Sequence, residues 1–195
     1  MTKAERTRQF IIEKAAPIFN QKGIAGTSMS DIMEATKLAK GGLYGNFESK
    51  DEICLEAYKY LAQSLNDSIE LAVAGEPTAK GKLFALLGFY EQRLFIKNYA
   101  GCPILNFGTE ADDTNPQMKQ KVNESIDRFR NRIVRIIKAG QESGELHTNF
   151  KAETFATKMF AMIEGAILMS KVQTSAEPMH IIMDVLKAEI EEHCI

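Results

Sequence analysis

Apolar side chains recur every three or four residues along almost the whole chain, and no stretch alternates for long enough to make a strand. That period admits helices packed on helices and argues against a sheet. Ile11, Ala15, Ile18 and Phe19 mark a helix over 3–22, with Gly23 as its stop. Thr27 and Ser28 offer N-cap oxygens to a short helix over 28–35 that carries Met29, Ile32 and Met33, and a second short helix covers 39–45. Ser49, followed by Asp51 and Glu52, opens a helix in which Ile53, Ala57, Leu61, Leu65 and Ile69 recur every four residues. After a break at Ala74-Gly75-Glu76-Pro77, the spacing predicts a helix over about 78–97. Pro103 suits the first turn of a short helix. A break from Asp112 to Pro116 precedes a long helix that ends near Ser143-Gly144. Helices over 151–172 and 177–192 complete an all-α chain of about nine helices.

Several function classes fall away on composition and spacing. The 195 residues suffice for one domain or two small ones. No uncharged apolar run approaches the roughly 18–20 residues that cross a bilayer, so no membrane partner is expected. The stretch Met1-Thr2-Lys3-Ala4-Glu5-Arg6-Thr7-Arg8 has neither the apolar core nor the cleavage site of a secretory signal. Cys54, Cys102 and Cys194 are too few and too scattered for a disulfide framework, which points to a reducing cytoplasm. His147, His180 and His193 lack a metal-ligand spacing, and Cys194 adds only a loose pair at the end of the chain. Neither a nucleophile elbow, a phosphate loop nor a paired-carboxylate motif is present, so no enzyme, metal or cofactor is expected.

Charge is divided unevenly. Residues 1–50 hold eight basic and five acidic side chains, a net +3, which leaves a net −5 on residues 51–195. The overall −2 therefore conceals a basic head. That head is one long helix followed by two short ones joined by a tight turn, the arrangement of a helix-turn-helix unit.

From Thr27 the head reads TSMSDIMEATKLAKGGLYGNFESKDEI, to Ile53. With the Ile11, Ala15, Ile18 and Phe19 stripe before it, this segment resembles the DNA-binding domain of the TetR family of bacterial transcriptional regulators. The residues that carry the resemblance are Thr27, Ile32, Ala35, Leu38, Lys40, Gly41, Leu43, Tyr44, Phe47, Ser49, Lys50 and Ile53. Ile32, Leu38, Leu43 and Phe47 can form the apolar centre of the two short helices. Gly41 and Gly42 keep the second of them thin enough to approach base edges and phosphates. Lys40 can reach a guanine edge or a phosphate. By resemblance, Thr27, Ser28, Tyr44, Asn46 and Lys50 contact phosphates. There are departures. Lys37 stands where the family's turn commonly has Gly, so a turn without positive φ is expected. Gly45 and Asn46 replace larger side chains.

The resemblance implies a DNA-binding domain over 1–50 and a ligand-binding and dimerisation domain over 51–195. It implies a regulator, read as a repressor, that binds a palindromic double-stranded DNA operator as a homodimer and is released by a small-molecule inducer. Tyr58, Phe84, Tyr90, Phe95, Cys102, Phe107 and Phe129 are the candidate inducer contacts, since aromatic residues are dense there. Gly101-Cys102-Pro103 is similar to a local pattern in a subgroup that senses electrophiles or oxidants, which brings a thiol-reactive inducer into consideration; a small buried hydrophobe is the plainer reading of Cys102. Met159, Met162, Ala166, Ile182, Val185 and Leu186 on the last two helices are the candidate dimer contacts. The alternative from another class is an all-α ligand-binding or interaction protein without sequence-specific DNA binding.

Overall fold

The computed structural model describes residues 1–96, 99–111 and 115–195. Among them are nine helices: α1 (Lys3–Gly26), α2 (Met29–Thr36), α3 (Lys40–Tyr44), α4 (Lys50–Ala74), α5 (Ala79–Arg93), α6 (Pro103–Ala111), α7 (Pro116–Glu142), α8 (Ala152–Gln173) and α9 (Glu177–Glu192). The all-α expectation holds. Lys97, at the expected end of α5, and the Asp112–Thr114 part of the break before α7 lie outside the described residues. No described helix is long and apolar enough to cross a membrane.

Local chemistry explains most boundaries. Gly23 takes φ +80, a conformation open to glycine, and bends α1 before its last turn. Ser28 caps α2 reciprocally with Asp31: Ser28 Oγ accepts from Asp31 N at 3.1 Å, and the Asp31 carboxylate accepts from Ser28 N at 2.8 Å. Thr27 does not cap; its hydroxyl turns back to donate to Gly23 O at 2.7 Å. Lys37 departs from expectation. It sits at φ +58, ψ +21, so the turn keeps its left-handed residue although the sequence supplies no glycine there. Gly45 caps α3, which ends at Tyr44. Ser49 Oγ accepts from Glu52 N at 3.1 Å at the start of α4. α5 stops at Arg93, short of expectation. Leu94, Phe95 and Ile96 donate to the carbonyls three residues back, which tightens the chain out of the α-helical repeat.

The chain divides into two compact units. The first comprises Met1–Leu65 with Cys102–Val122. In it α1 packs on α2 and on α6. Ile11, Ala15, Phe19, Ile32, Leu43, Phe47, Ile53, Tyr58 and Phe107 are buried, whereas Leu38, expected at the centre, is half-buried. The second unit comprises Asn66–Gly101 with Asn123–Ile195, and there α9 packs on α8 and α5 around Leu83, Leu87, Phe129, Ile133, Met159, Met183 and Leu186. One isolated antiparallel bridge, Leu146 with Cys194, falls where the sequence carries no strand pattern.

Candidate nucleic-acid interface

The head is assembled by charged side chains as well as by its core. Arg8 of α1 donates to Asn46 O and to the Glu52 carboxylate, with its guanidinium 4.0 Å from the centre of the Phe47 ring. One side chain thus ties α1 to the end of α3 and the start of α4. The Arg8 hydrogen bond, helped by the Glu48 N–H, holds the Glu52 carboxyl below its ordinary range. Lys22 pairs with Asp31 at 2.6 Å. That bond, together with those from Ser28, holds the Asp31 carboxyl well below the usual carboxylate range.

α3 carries the exposed face. Lys40 and Tyr44 lie one helical turn apart, with the Lys40 ammonium 5.7 Å from the Tyr44 ring centre, and Tyr44 is 45% exposed. Gly41 is exposed between them, and a side chain there would meet nothing within 4 Å. Gly42 would meet only Leu38, at 3.5 Å. Neither glycine has positive φ. Nothing in the protein's own backbone geometry or packing calls for glycine at 41. Leu43 is buried from the opposite side of the same helix.

The remaining expected contacts are more engaged with the protein itself. Ser28 is exposed at the start of α2, but its hydroxyl donates to the Asp31 carboxylate at 2.7 Å. Thr27 is buried, and its hydroxyl hydrogen is committed to Gly23 O. Asn46 Nδ2 donates to Gly42 O at 2.8 Å. Lys50 donates to Ile24 O at 2.8 Å and Thr27 O at 3.0 Å, which leaves its ammonium one further donor. Arg8, Asp31 and Glu110, whose carboxylate accepts from Ile24 N and Ala25 N, organise this region and were not singled out from sequence. Asp31 was findable, since Ser28-x-x-Asp31 is a capping-box spacing; Arg8 and Glu110 act across long sequence separations that leave no local signal.

The other candidates separate by unit. In the first, Tyr58 and Phe107 are buried with ring centres 5.2 Å apart, and Cys102 is 1% exposed. In the second, Tyr90 and Phe129 are buried edge-to-face at 5.9 Å, and Phe84 is half-buried. Phe95 is exposed and lines a cleft of about 400 Å³ with Leu94, Ile96, Tyr99 and the C-terminal end of α8. Met159, Ala166 and Leu186 are buried inside the single chain, Met162 and Ile182 are half-buried, and Val185 is exposed. The exposed large apolar residues of α8 and α9 are Leu168, Met169, Val172, Ile181 and Val185. Among the described residues no group of three or more His, Cys, Asp and Glu side chains could hold a metal ion.

Comparison with known proteins bears on this arrangement directly. Residues 11–57 match the family of bacterial regulatory proteins named tetR, and residues 81–186 match the tetracyclin repressor-like C-terminal domain. A TetR transcriptional regulator from Chloroflexus aurantiacus superposes with a TM-score of 0.94 at 33% identity, covering 100% of this chain and 98% of that one. A TetR-family regulator from Cytophaga hutchinsonii gives 0.93 at 34% identity with the same coverage. The HTH-type transcriptional repressor DhaR of Mycobacterium sp. (strain GP1) is 24% identical over 176 residues, 88% of this chain and 86% of DhaR. With a helix-turn-helix head and whole-length likeness of this order, the chain belongs to the TetR family of bacterial regulators, and it is a regulatory protein rather than an enzyme.

Proposed function

We propose that this protein is a transcriptional repressor that binds a palindromic operator as a homodimer and leaves it when a small molecule occupies its C-terminal part. Residues 1–50 read DNA; residues 51–195 bind the inducer and dimerise. The observation that carries the reading is Gly41: an exposed glycine inside a helix, flanked by Lys40 and Tyr44, for which the protein itself has no use. A thin helix surface with a cation and a phenol on either side suits close approach to the major groove. Lys40 serves a guanine edge or phosphate; Tyr44 and the third donor of Lys50 serve phosphates. Thr27 and Ser28 act chiefly by shaping the turn between α1 and α2, and Asn46 by its bond to Gly42 O within α3.

The exposed apolar residues of α8 and α9 support a two-fold partner. Leu168 and Val172 are four apart, as are Ile181 and Val185, so each helix offers a stripe to a four-helix bundle made with a second copy. Met159, Ala166 and Leu186 form the packed layer beneath. A dimer would present two α3 helices to half-sites one helical turn apart, on the order of 34–36 Å. Buried aromatic pairs such as Tyr90 and Phe129 favour an apolar inducer. The burial of Cys102 favours an inducer held without a covalent bond over a thiol-reactive one. The inducer acts by binding better to protomer arrangements in which the two α3 helices miss that spacing.

The test is selection of duplexes from a random pool and from the DNA beside the protein's own gene, followed by titration across salt concentrations. A palindromic site is expected, with affinity falling steeply as salt rises. Tyr44→Ala should weaken binding to all duplexes alike, and Lys40→Ala should also relax base preference. Failure to select any sequence would sink the operator reading and leave the all-α ligand-binding alternative.

A further inference from the structure

Gly23 does more than end a helix. Its positive φ starts a separate turn, Ile24 to Gly26, whose leading N–H groups lose the carbonyl partners that a continuous helix would give them. Both find an acceptor 85 residues or more along the chain. Glu110 Oε1 accepts from Ile24 N at 2.8 Å, and Glu110 Oε2 accepts from Ala25 N at 2.9 Å. A carboxylate thus sits at the amino end of the turn, where peptide dipoles favour negative charge. At the carbonyl end, the Lys50 ammonium accepts no bond and donates two, to Ile24 O and Thr27 O. The turn is gripped by opposite charges at the ends that suit each.

The grip depends on glycine. A Cβ on residue 23 would lie 2.3 Å from Glu110 Oε1, too close for any side chain. One turn earlier on α6, Asn106 Nδ2 donates to both Asn20 O and Asn20 Oδ1 at 3.0 Å. Asn106 and Glu110 are four residues apart, so one face of α6 holds α1 at Asn20 and the turn that follows the Gly23 bend. Directly after that turn come Thr27, the Ser28 cap, α2 and α3.

We propose that Glu110 is a positioning residue: its carboxylate fixes the bend of α1 at Gly23 and thereby the placement of α2 and α3. Only the consequence for DNA rests on the operator reading above. The experiment compares wild type with Glu110→Ala and Glu110→Gln by residue-resolved amide exchange. In Glu110→Ala, protection at Ile24 and Ala25 should fall at least about ten-fold, as for the loss of hydrogen bonds to a charged acceptor. Protection across residues 29–44 should fall with it, while residues 55–65 of α4 keep theirs. Glu110→Gln, of the same shape, retains one acceptor oxygen and should lie between the two.

Wild-type protection across 29–44 in Glu110→Ala would overturn the proposal. So would an equal loss in every helix, including a variant that fails to fold while Glu110→Gln behaves as wild type, since Glu110 would then be a general stabiliser. On a duplex selected by the wild-type protein, Glu110→Ala should raise Kd at least about ten-fold with an unchanged salt slope, because no phosphate contact is removed. An unchanged Kd would also overturn it. Should the wild type select no duplex, the operator reading fails and amide exchange still decides the role of Glu110.

Discussion

The ammonium of Lys50, in the first turn of α4, donates to the carbonyl oxygen of Thr27 at 3.0 Å. Its other acceptor, Ile24 O, belongs to the same turn. A lysine read from sequence as a phosphate contact is therefore also a structural tie within the head. Lys50→Met should destabilise the protein by about 1–3 kcal/mol, the cost of leaving part-buried carbonyls without a charged donor. Urea unfolding of the DNA-free protein measures this. A stability equal to wild type would make Lys50 a surface cation only.

Lys37 occupies the left-handed region at φ +58 without the freedom of glycine. Lys37→Gly removes a steric conflict worth roughly 1–2 kcal/mol and adds freedom to the unfolded chain, which offsets part of the gain. The expected net effect is stabilisation of up to about 1 kcal/mol, read as a rise in thermal midpoint. A fall in midpoint would mean that the Lys37 side chain contributes more than its backbone costs.

Acid should loosen the head. Hydrogen bonds from Lys22 and Ser28 lower the Asp31 carboxyl, and those from Arg8 and the Glu48 N–H lower Glu52. Groups whose folded pKa is depressed contribute stability that is present above their unfolded values, about 3.9 for Asp and 4.3 for Glu, and is lost as pH falls toward the folded values. Urea midpoints measured from pH 7 down to pH 3 should therefore fall, and Asp31→Asn should flatten part of that slope. A slope identical in wild type and Asp31→Asn would remove Asp31 from the account.

The three thiols should differ in reactivity. Burial, chiefly, pushes the Cys54 thiol up to about 12, so it stays protonated at neutral pH. Cys102 is equally inaccessible, whereas Cys194 is part-exposed. Brief iodoacetamide treatment of the native protein, read by mass spectrometry, should label Cys194 first. Cys54 and Cys102 should label on unfolding. Rapid native labelling of Cys102 would revive a thiol-reactive inducer.

Leu168 is 53% exposed and Val172 77%, on a helix whose other side is packed. Leu168→Glu with Val185→Glu should shift the protein toward monomers in light scattering, since charge is strongly disfavoured in a closed apolar interface. Met159→Ala should instead cost about 2–5 kcal/mol of stability, as for a large-to-small change in a core. Dimers that survive the double glutamate change would place the interface elsewhere.

The helices were legible because their signal is local. A period of apolar residues, a capping hydroxyl and a stopping glycine all act within a turn or two. Lys37 was not legible, because a side chain's ordinary reluctance toward positive φ says nothing of the tertiary packing that can impose it. Arg8 and Glu110 were hidden for a different reason: each meets its partners across dozens of residues, and a lone surface-type charge carries no record of which carbonyl or amide it meets. α8 shows a third limit. It is apolar on two sides, so its spacing does not indicate that Met159 faces inward and Leu168 outward. The exposed α3 residues were legible only jointly, through the order of Lys40, Gly41, Gly42 and Tyr44.

Gly41 has a consequence for any attempt to improve this protein. Alanine in its place would meet no neighbour and would favour the helix by about 0.5–1 kcal/mol. A redesign guided by folding alone would accept that change, and calorimetry would endorse it. If Gly41 faces the major groove as proposed, the damage would appear only once DNA was added to the tube. On the operator reading, sequence choice at this position answers to an object that is not part of the polypeptide, so the most stable version of the chain and the most useful one would differ by a single methyl group.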